Sequence, residues 1–267
     1  MSVINVTPLT IQMRSTVLTI ARKILKTVMP APIKKALWSN TALRRYIKQQ
    51  GPIDLGDLRR VTPLSTCFGY DRGGPVDRYY IEGFLHKNAA LIRGNVLEIG
   101  DNEYTLAYGK EAVSKSDILH VNSNNEKATY VGDLSNAPHL PDDTFDCIIL
   151  TQTLHLIYDF RQAIGTCFRV LKPGGTLLLT VPGISQIDHD EWQDIWLWSF
   201  TRSSIKKLLQ EYFVDSNVKI ETHGNVLTSA SFLYGLGAPE LTKEELDYND
   251  SHFQLIITAM ATKPSIV

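Results

Sequence analysis

A doubly wound α/β fold, with a mostly parallel seven-stranded sheet and a helical N-terminal arm, is predicted by three observations. Between Val96 and Val181, short apolar runs alternate with helical patterns. Those runs end in small or polar residues, the place where an open parallel sheet binds its ligand. After Pro182, two more strand-like runs follow the five alternating units: Val218 to Thr222 and Gln254 to Thr262. Such alternation implies right-handed crossovers and a sheet covered by helices on both faces.

Residues 1–50 form the arm. Positions 9–29 read as a basic amphipathic helix: Val17, Ile20, Ile24 and Val28 fall near helical spacing, and Arg22, Lys23 and Lys26 lie elsewhere on the wheel. Pro30-Ala31-Pro32 stops it, and a second short helix is expected from Ile33 to Gln49. These fifty residues hold nine Lys and Arg and no acid, while the remainder balances to -10. The pattern suits peripheral contact with an anionic membrane or a partner. A solvated arm packed on its own domain, a dimer contact or a transit peptide has the same composition.

Residues 51–93 form a cap or linker. Gly51 to Gly74 is rich in Gly and Pro, and helical character returns from Val76 to Ile92, where Tyr80, Phe84 and Leu91 share a face. Gly94 ends that helix and opens the main domain, 94–267. There the first strand begins at Val96, and a helix is expected from Thr105 to Ser114. Ile118 to Val121 and Thr129 to Val131 are the second and third strands, and Ile148 to Leu150 centres the fourth. A helix from Phe160 to Leu171 stops at Lys172-Pro173-Gly174-Gly175, before a fifth strand at Leu177 to Val181. An aromatic insert then precedes a helix from Ser203 to Tyr212, and another is expected near Val226 to Leu236.

Composition excludes several classes. The 267 residues contain no apolar run near the roughly 18 needed to span a membrane. Cys67, Cys147 and Cys167 lack Cys-x-x-Cys spacing, which suits a reducing, cytoplasmic compartment. Association with the inner face of the membrane through residues 9–29 is compatible with that location. No secretory cleavage pattern is expected at the N-terminus. No His/Cys/Asp cluster has metal-ligand spacing, and the acidic balance beyond the arm disfavours nucleic acid.

Chemistry concentrates at the strand ends. The first strand closes as Glu98-Ile99-Gly100-Asp101-Asn102, the second as Leu119-His120-Val121-Asn122, and the third as Gly132-Asp133-Leu134. The fourth runs into Thr151-Gln152-Thr153-Leu154-His155. In order and spacing these segments resemble the class I S-adenosylmethionine-dependent methyltransferases, with their Rossmann-like sheet. The resemblance implies that Glu98, Gly100 and Asp101 form the cofactor turn, although only the first glycine of that family's glycine-rich turn is present. It further implies that Asn122 stands where an acid holds the ribose, and that Asp133 takes the adenine amino group with Leu134 against the purine. Thr151 and Gln152 then lie near the methyl group. His155 is the candidate general base for an oxygen nucleophile; a histidine that only anchors the next helix has the same sequence.

The phrase Phe68-Gly69-Tyr70-Asp71-Arg72-Gly73-Gly74-Pro75-Val76-Asp77-Arg78-Tyr79-Tyr80 is dense in Asp-Arg pairs and tyrosines. With Gly224-Asn225 and the tail Glu244 to Phe253, it resembles a bacterial branch of these methyltransferases associated with glycosyltransferases and surface-polysaccharide biosynthesis. That likeness covers about residue 60 onward. It implies O-methylation of a sugar or glycan-related acceptor, held by Asp71, Arg72, Asp77, Arg78, Tyr79 and Tyr80, with Trp192 and Trp196 as a platform. A salt-bridged cap and a packed aromatic face are the structural alternatives for the same residues. A small-molecule or lipid-like acceptor, or a non-catalytic cofactor-binding module with a degenerate glycine loop, also fits the motifs.

Overall fold

The computed structural model describes residues 54–265 together with Pro30. The helices expected at 9–29 and 33–49, and so the arm, lie outside the described residues. The chain divides into two compact units, Met1–Arg59 and Arg60–Val267. Within the first, a single turn of 3-10 helix at Gly56–Arg59 is described.

The second unit is built on a seven-stranded sheet in the order β3-β2-β1-β4-β5-β7-β6. The strands are β1 (Gly94–Ile99), β2 (Val113–His120), β3 (Tyr130–Val131), β4 (Phe145–Thr151), β5 (Leu171–Pro182), β6 (Val218–His223) and β7 (Ile256–Thr262). The first five run parallel. β7 is antiparallel to both β5 and β6. The strand order reverses between β1 and β4, the crevice where such sheets take ligands.

Both faces of the sheet are covered. Leu97, Ile148, Leu150, Leu177 and Leu179 point into one core, against α2 (Phe160–Val170) and α3 (Arg202–Leu209). Val96, Cys147, Ile149 and Leu178 alternate with them into a second core. There they meet α1 (Val76–Lys87) and Phe232 of α4 (Val226–Leu233). This two-sided burial explains the unbroken apolar runs of β4 and β5, which a sheet wet on one face does not have. α2 starts where the Asp159 carboxylate accepts the Gln162 N–H at 3.2 Å. A short α5 (Lys243–Asp247) adds Leu246 to the second core.

The expected helix from Thr105 to Ser114 is replaced by one π turn, Thr105–Gly109, and a 3-10 turn, Lys110–Ala112. Lys110, at φ 48 and ψ -131, turns the backbone out of the helix, and Gly109 before it lets the chain pass close: a Cβ there would come within 2.4 Å of the Val113 side chain and 2.8 Å of Ile92. β2 then begins at Val113, five residues before the expected start, because register with β1 carries it through the polar stretch Ser114 to Asp117. The helix expected from Val76 to Ile92 ends at Lys87 and continues as a 3-10 turn, Ala89–Leu91.

Candidate functional site

A cavity of about 550 Å³ opens at the carboxyl ends of β1, β2, β4 and β5, a volume suited to a small molecule. Of the residues expected at the site, it brings together Asp77, Arg78, Glu98, Gly100, Asp101, Thr151, Gln152, His155, Trp192 and Trp196.

Its floor is the turn after β1. Glu98, 3% exposed, accepts the Thr105 N–H and the Thr105 hydroxyl at 2.7 Å each, and the Tyr104 N–H at 3.3 Å. The carboxylate thereby ties the loop back onto the strand. Burial pushes the Glu98 carboxyl up to about 7, against these hydrogen bonds. Gly100 has φ +98, and a Cβ built on it meets nothing within 4 Å. It supplies both the left-handed turn and open space above it. Asn125 Nδ2 donates to the Gly100 carbonyl at 2.9 Å and holds the turn from outside. Asp101 accepts its neighbour's N–H, from Asn102, at 2.6 Å.

At the end of β4, Gln152 is non-glycine yet has φ 44. Its N–H reaches the Thr180 carbonyl at 3.0 Å and its Nε2 the Thr180 hydroxyl at 3.4 Å. A left-handed side-chain residue pinned beside a cavity is the kind of local strain that functional sites retain.

The roof is aromatic. The His155 ring lies 4.3 Å from that of Trp196, which stacks on Phe68 at 5.9 Å and 13°. Phe68 in turn meets Phe232 at 5.9 Å. His155 is 2% exposed, and its Nδ1 has no hydrogen-bond partner among the described residues. Burial lowers its imidazole to about 4, so it is neutral at physiological pH. Trp192 is 45% exposed at the rim, after the Asp188 carboxylate accepts its N–H.

One wall comes from the start of α1. Arg78 donates through Nε and Nη2 to the Tyr70 hydroxyl at 3.1 and 3.0 Å. Burial opposes its charge, but Asp77, Tyr104 and Tyr70 more than offset this and raise its pKa. Asp77 is 7% exposed, and its Oδ1 lacks a partner among the described residues.

Seven expected residues do not line this cavity. Asp71 accepts the Ser65 hydroxyl at 2.5 Å, and Arg72 forms a two-pronged ion pair with Glu240. The first bond closes the 65–75 loop on itself, and the second locks it onto the segment after α4. Tyr79 donates to Asp247 at 2.6 Å and Tyr80 to the Leu246 carbonyl at 2.9 Å. These tyrosines border a separate cavity of about 350 Å³ on the far side of α1. Asn122 closes an exposed turn by accepting the Asn124 N–H at 3.0 Å. The cavity reaches His120 and Val121 instead, because β2 ends earlier in the chain than its apolar run. Asp133 accepts the Ser135 N–H and hydroxyl at 2.8 Å each and caps a 3-10 turn, while Leu134 is buried in the first core. Phe68, Tyr70, Tyr104, His120 and Phe232 are lining residues missed from the sequence. The dense aromatic motif signalled the first two; nothing local signalled Phe232.

Residues 82–179 match the family model for the methyltransferase domain. Over 101 residues the chain is 30% identical to a Mycolicibacterium smegmatis protein named "Probable S-adenosylmethionine-dependent methyltransferase", covering 38% of this chain and 35% of that one. Over 86 residues it is 36% identical to the ubiquinone/menaquinone biosynthesis C-methyltransferase UbiE of Pasteurella multocida, covering 32% of this chain and 30% of that one. The chain thus spans about a third of the length of these curated relatives. Among solved structures, a SAM dependent methyltransferase from Archaeoglobus fulgidus is 15% identical, with a TM-score of 0.47, covering 70% of this chain and 94% of that one. Among the described residues, no group of three or more His, Cys, Asp or Glu is arranged to hold a metal ion, and no helix is long and apolar enough to cross a membrane.

Proposed function

We propose that this chain is an S-adenosylmethionine-dependent methyltransferase acting on a hydroxyl of a small, sugar-related acceptor. The observation that carries the reading is the turn at Gly100: a left-handed glycine with open space over it, beside a buried acid, at the point where the strand order reverses. The residues present fit the group. Arg78 is the one Lys or Arg among the described residues lining the cavity and is the counter-charge for the cofactor's carboxylate. Glu98 and Asp101 stand where its ammonium would be matched. His120 and Val121 offer the ribose edge.

When bound, S-adenosylmethionine supplies an electrophilic methyl group, so the protein's task is alignment and water exclusion. The Phe68–Trp196–His155 stack excludes water from the acceptor side. Aromatic faces with the Asp77 carboxylate beside them suit a polyhydroxylated ring, which favours the glycan-related acceptor. The same planar wall, together with the 86-residue likeness to a quinone C-methyltransferase, favours a second reading in which a phenolic or quinol ring is methylated. The basic run in residues 1–50 is assigned to an anionic membrane surface, where an acceptor carried on a lipid would be met.

Titration calorimetry with S-adenosylhomocysteine tests the cofactor reading. Micromolar to submillimolar binding is expected, and no heat at millimolar product ends it. Transfer of a labelled methyl group to methyl glycosides or to simple phenols then separates the two acceptors.

A further inference from the structure

We infer that Asp77 is the catalytic base for this transfer, and that the acceptor presents a neutral hydroxyl, without phosphate, to the cavity. The inference rests on the methyl-transfer reading and deepens it.

Asp77 stands in the first turn of α1, a twelve-residue helix whose N-terminal dipole favours a carboxylate. It lines the cavity, is 7% exposed, and leaves Oδ1 without a partner among the described residues. A buried carboxylate oxygen with no donor is costly, and folded proteins keep few of them. An O–H donor from a bound acceptor removes the cost.

Of the cavity's other acids, Glu103 is exposed, and Glu98 and Asp101 are engaged. Both oxygens of Glu98 hold the 104–105 backbone, and Asp101 accepts the Asn102 N–H. His155 also has an orphaned atom, but an imidazole lowered to about 4 takes a proton poorly at neutral pH. Burial moves the Asp77 carboxyl the other way, upward, with Arg78 opposing. The upward direction strengthens its hold on a proton.

Charge sets the acceptor class. Four acids line the cavity, Asp77, Glu98, Asp101 and Glu103, against the single guanidinium of Arg78. With Arg78 engaged by Tyr70 and reserved for the cofactor's carboxylate, an acceptor phosphate would face acids without a counter-charge. In the transfer, the acceptor oxygen gains the methyl carbon. The carbon–sulfur bond breaks with its electron pair left on sulfur, and the hydroxyl proton passes to the Asp77 carboxylate.

The test combines binding and transfer in full-length protein. Wild type, Asp77→Asn and Asp77→Glu are titrated with S-adenosylhomocysteine. They are then given labelled S-adenosylmethionine with matched probes: methyl glycosides and dihydric phenols, and the monophosphate ester of each, which keeps a free hydroxyl. Asp77→Asn is expected to keep product affinity within about threefold while turnover falls at least about a hundredfold, with part of the rate recovered in Asp77→Glu. Several results overturn the inference: a tenfold loss of product affinity in Asp77→Asn, undiminished turnover in that variant, preference for the phosphate esters, or a wild type that methylates none of the hydroxyl probes. Absence of product binding in wild type instead removes the methyl-transfer reading itself.

Discussion

Replacing Glu98 by Gln separates its electrical role from its structural one. In the free protein, burial lifts this carboxyl from 4.5 to about 7, although three hydrogen bonds hold the ionised form. The folded state therefore binds the proton more tightly than the unfolded chain. Between those two pKa values the unfolded chain has lost its proton while the folded one keeps it, so stability falls as pH rises. At about 1.4 kcal/mol per tenfold change in proton affinity, Glu98 removes roughly 2.5 kcal/mol of stability between pH 5 and pH 8. Glu98→Gln cannot titrate. It also loses at least one hydrogen bond, because an amide nitrogen must face a donor, and this costs about 1–3 kcal/mol at every pH. Urea unfolding of both proteins at pH 5, 6, 7 and 8 is the assay. The variant is expected to be clearly the weaker at pH 5 and to draw level with or overtake wild type by pH 8. Parallel stability curves across that range would show that Glu98 is already ionised at pH 5, and the buried-acid account would be wrong. Saturating S-adenosylhomocysteine should flatten the wild-type slope, since an ammonium beside the carboxylate favours the charged form.

Four further outcomes are expected. Gly100→Ala places a methyl in the open space over the β1 turn; unfolding free energy should drop by about 1–2 kcal/mol from the left-handed backbone, while calorimetry should show product affinity down more than tenfold. Gly235→Ala would set a Cβ 2.2 Å from the Ser65 carbonyl oxygen at φ +73, and should lower stability by about 2–4 kcal/mol in thermal or urea unfolding; a neutral effect would mean the 65–75 loop does not sit on the end of α4. Asp133→Ala should cost about 1 kcal/mol through loss of its cap, and a fall in product affinity beyond that would mark the adenine contact. Full-length protein should sediment with anionic vesicles at low salt and be released as salt rises; indifference to anionic vesicles would leave the basic run to another partner.

The sheet was legible because its signal is local. The central parallel strands β1, β4 and β5 are buried on both faces, so Val96 to Ile99, Cys147 to Leu150 and Leu177 to Val181 stand out as apolar runs. β2 was only half legible, since its first residues, Val113 to Asp117, take their conformation from pairing with β1 rather than from their own polarity. The failed helix at Thr105 to Ser114 has a related origin: the periodicity was compatible with a helix, but the backbone turns out at Lys110, beside a Gly109 packed too close to Ile92 and Val113 for a side chain. Site residues at strand ends, Glu98, Gly100, Thr151 and Gln152, were legible because topology alone puts them at the crevice. Phe232 was not, because it reaches the cavity from α4, more than a hundred residues beyond the β1 turn.

The motif from Phe68 to Tyr80 shows why density along the chain is a poor guide to shared purpose. Its thirteen residues look like one binding surface, yet the fold divides them. Phe68, Tyr70, Pro75, Asp77 and Arg78 face the main cavity. Asp71 and Arg72 are spent on Ser65 and Glu240, which fasten the loop that presents those residues. On α1 each residue turns about 100° from the last, so Tyr79 and Tyr80 leave the cavity side directly after Arg78 and reach Asp247 and Leu246 instead. A sequence reading that treats Asp77 and Asp71 as equivalent acids misses this division. One is exposed and bonded to a neighbour's hydroxyl; the other is buried with an oxygen unspoken for, beside a guanidinium held by a tyrosine. The difference lies in hydrogen-bond partners drawn from distant segments, and it makes Asp77 rather than its near neighbours the residue to substitute first.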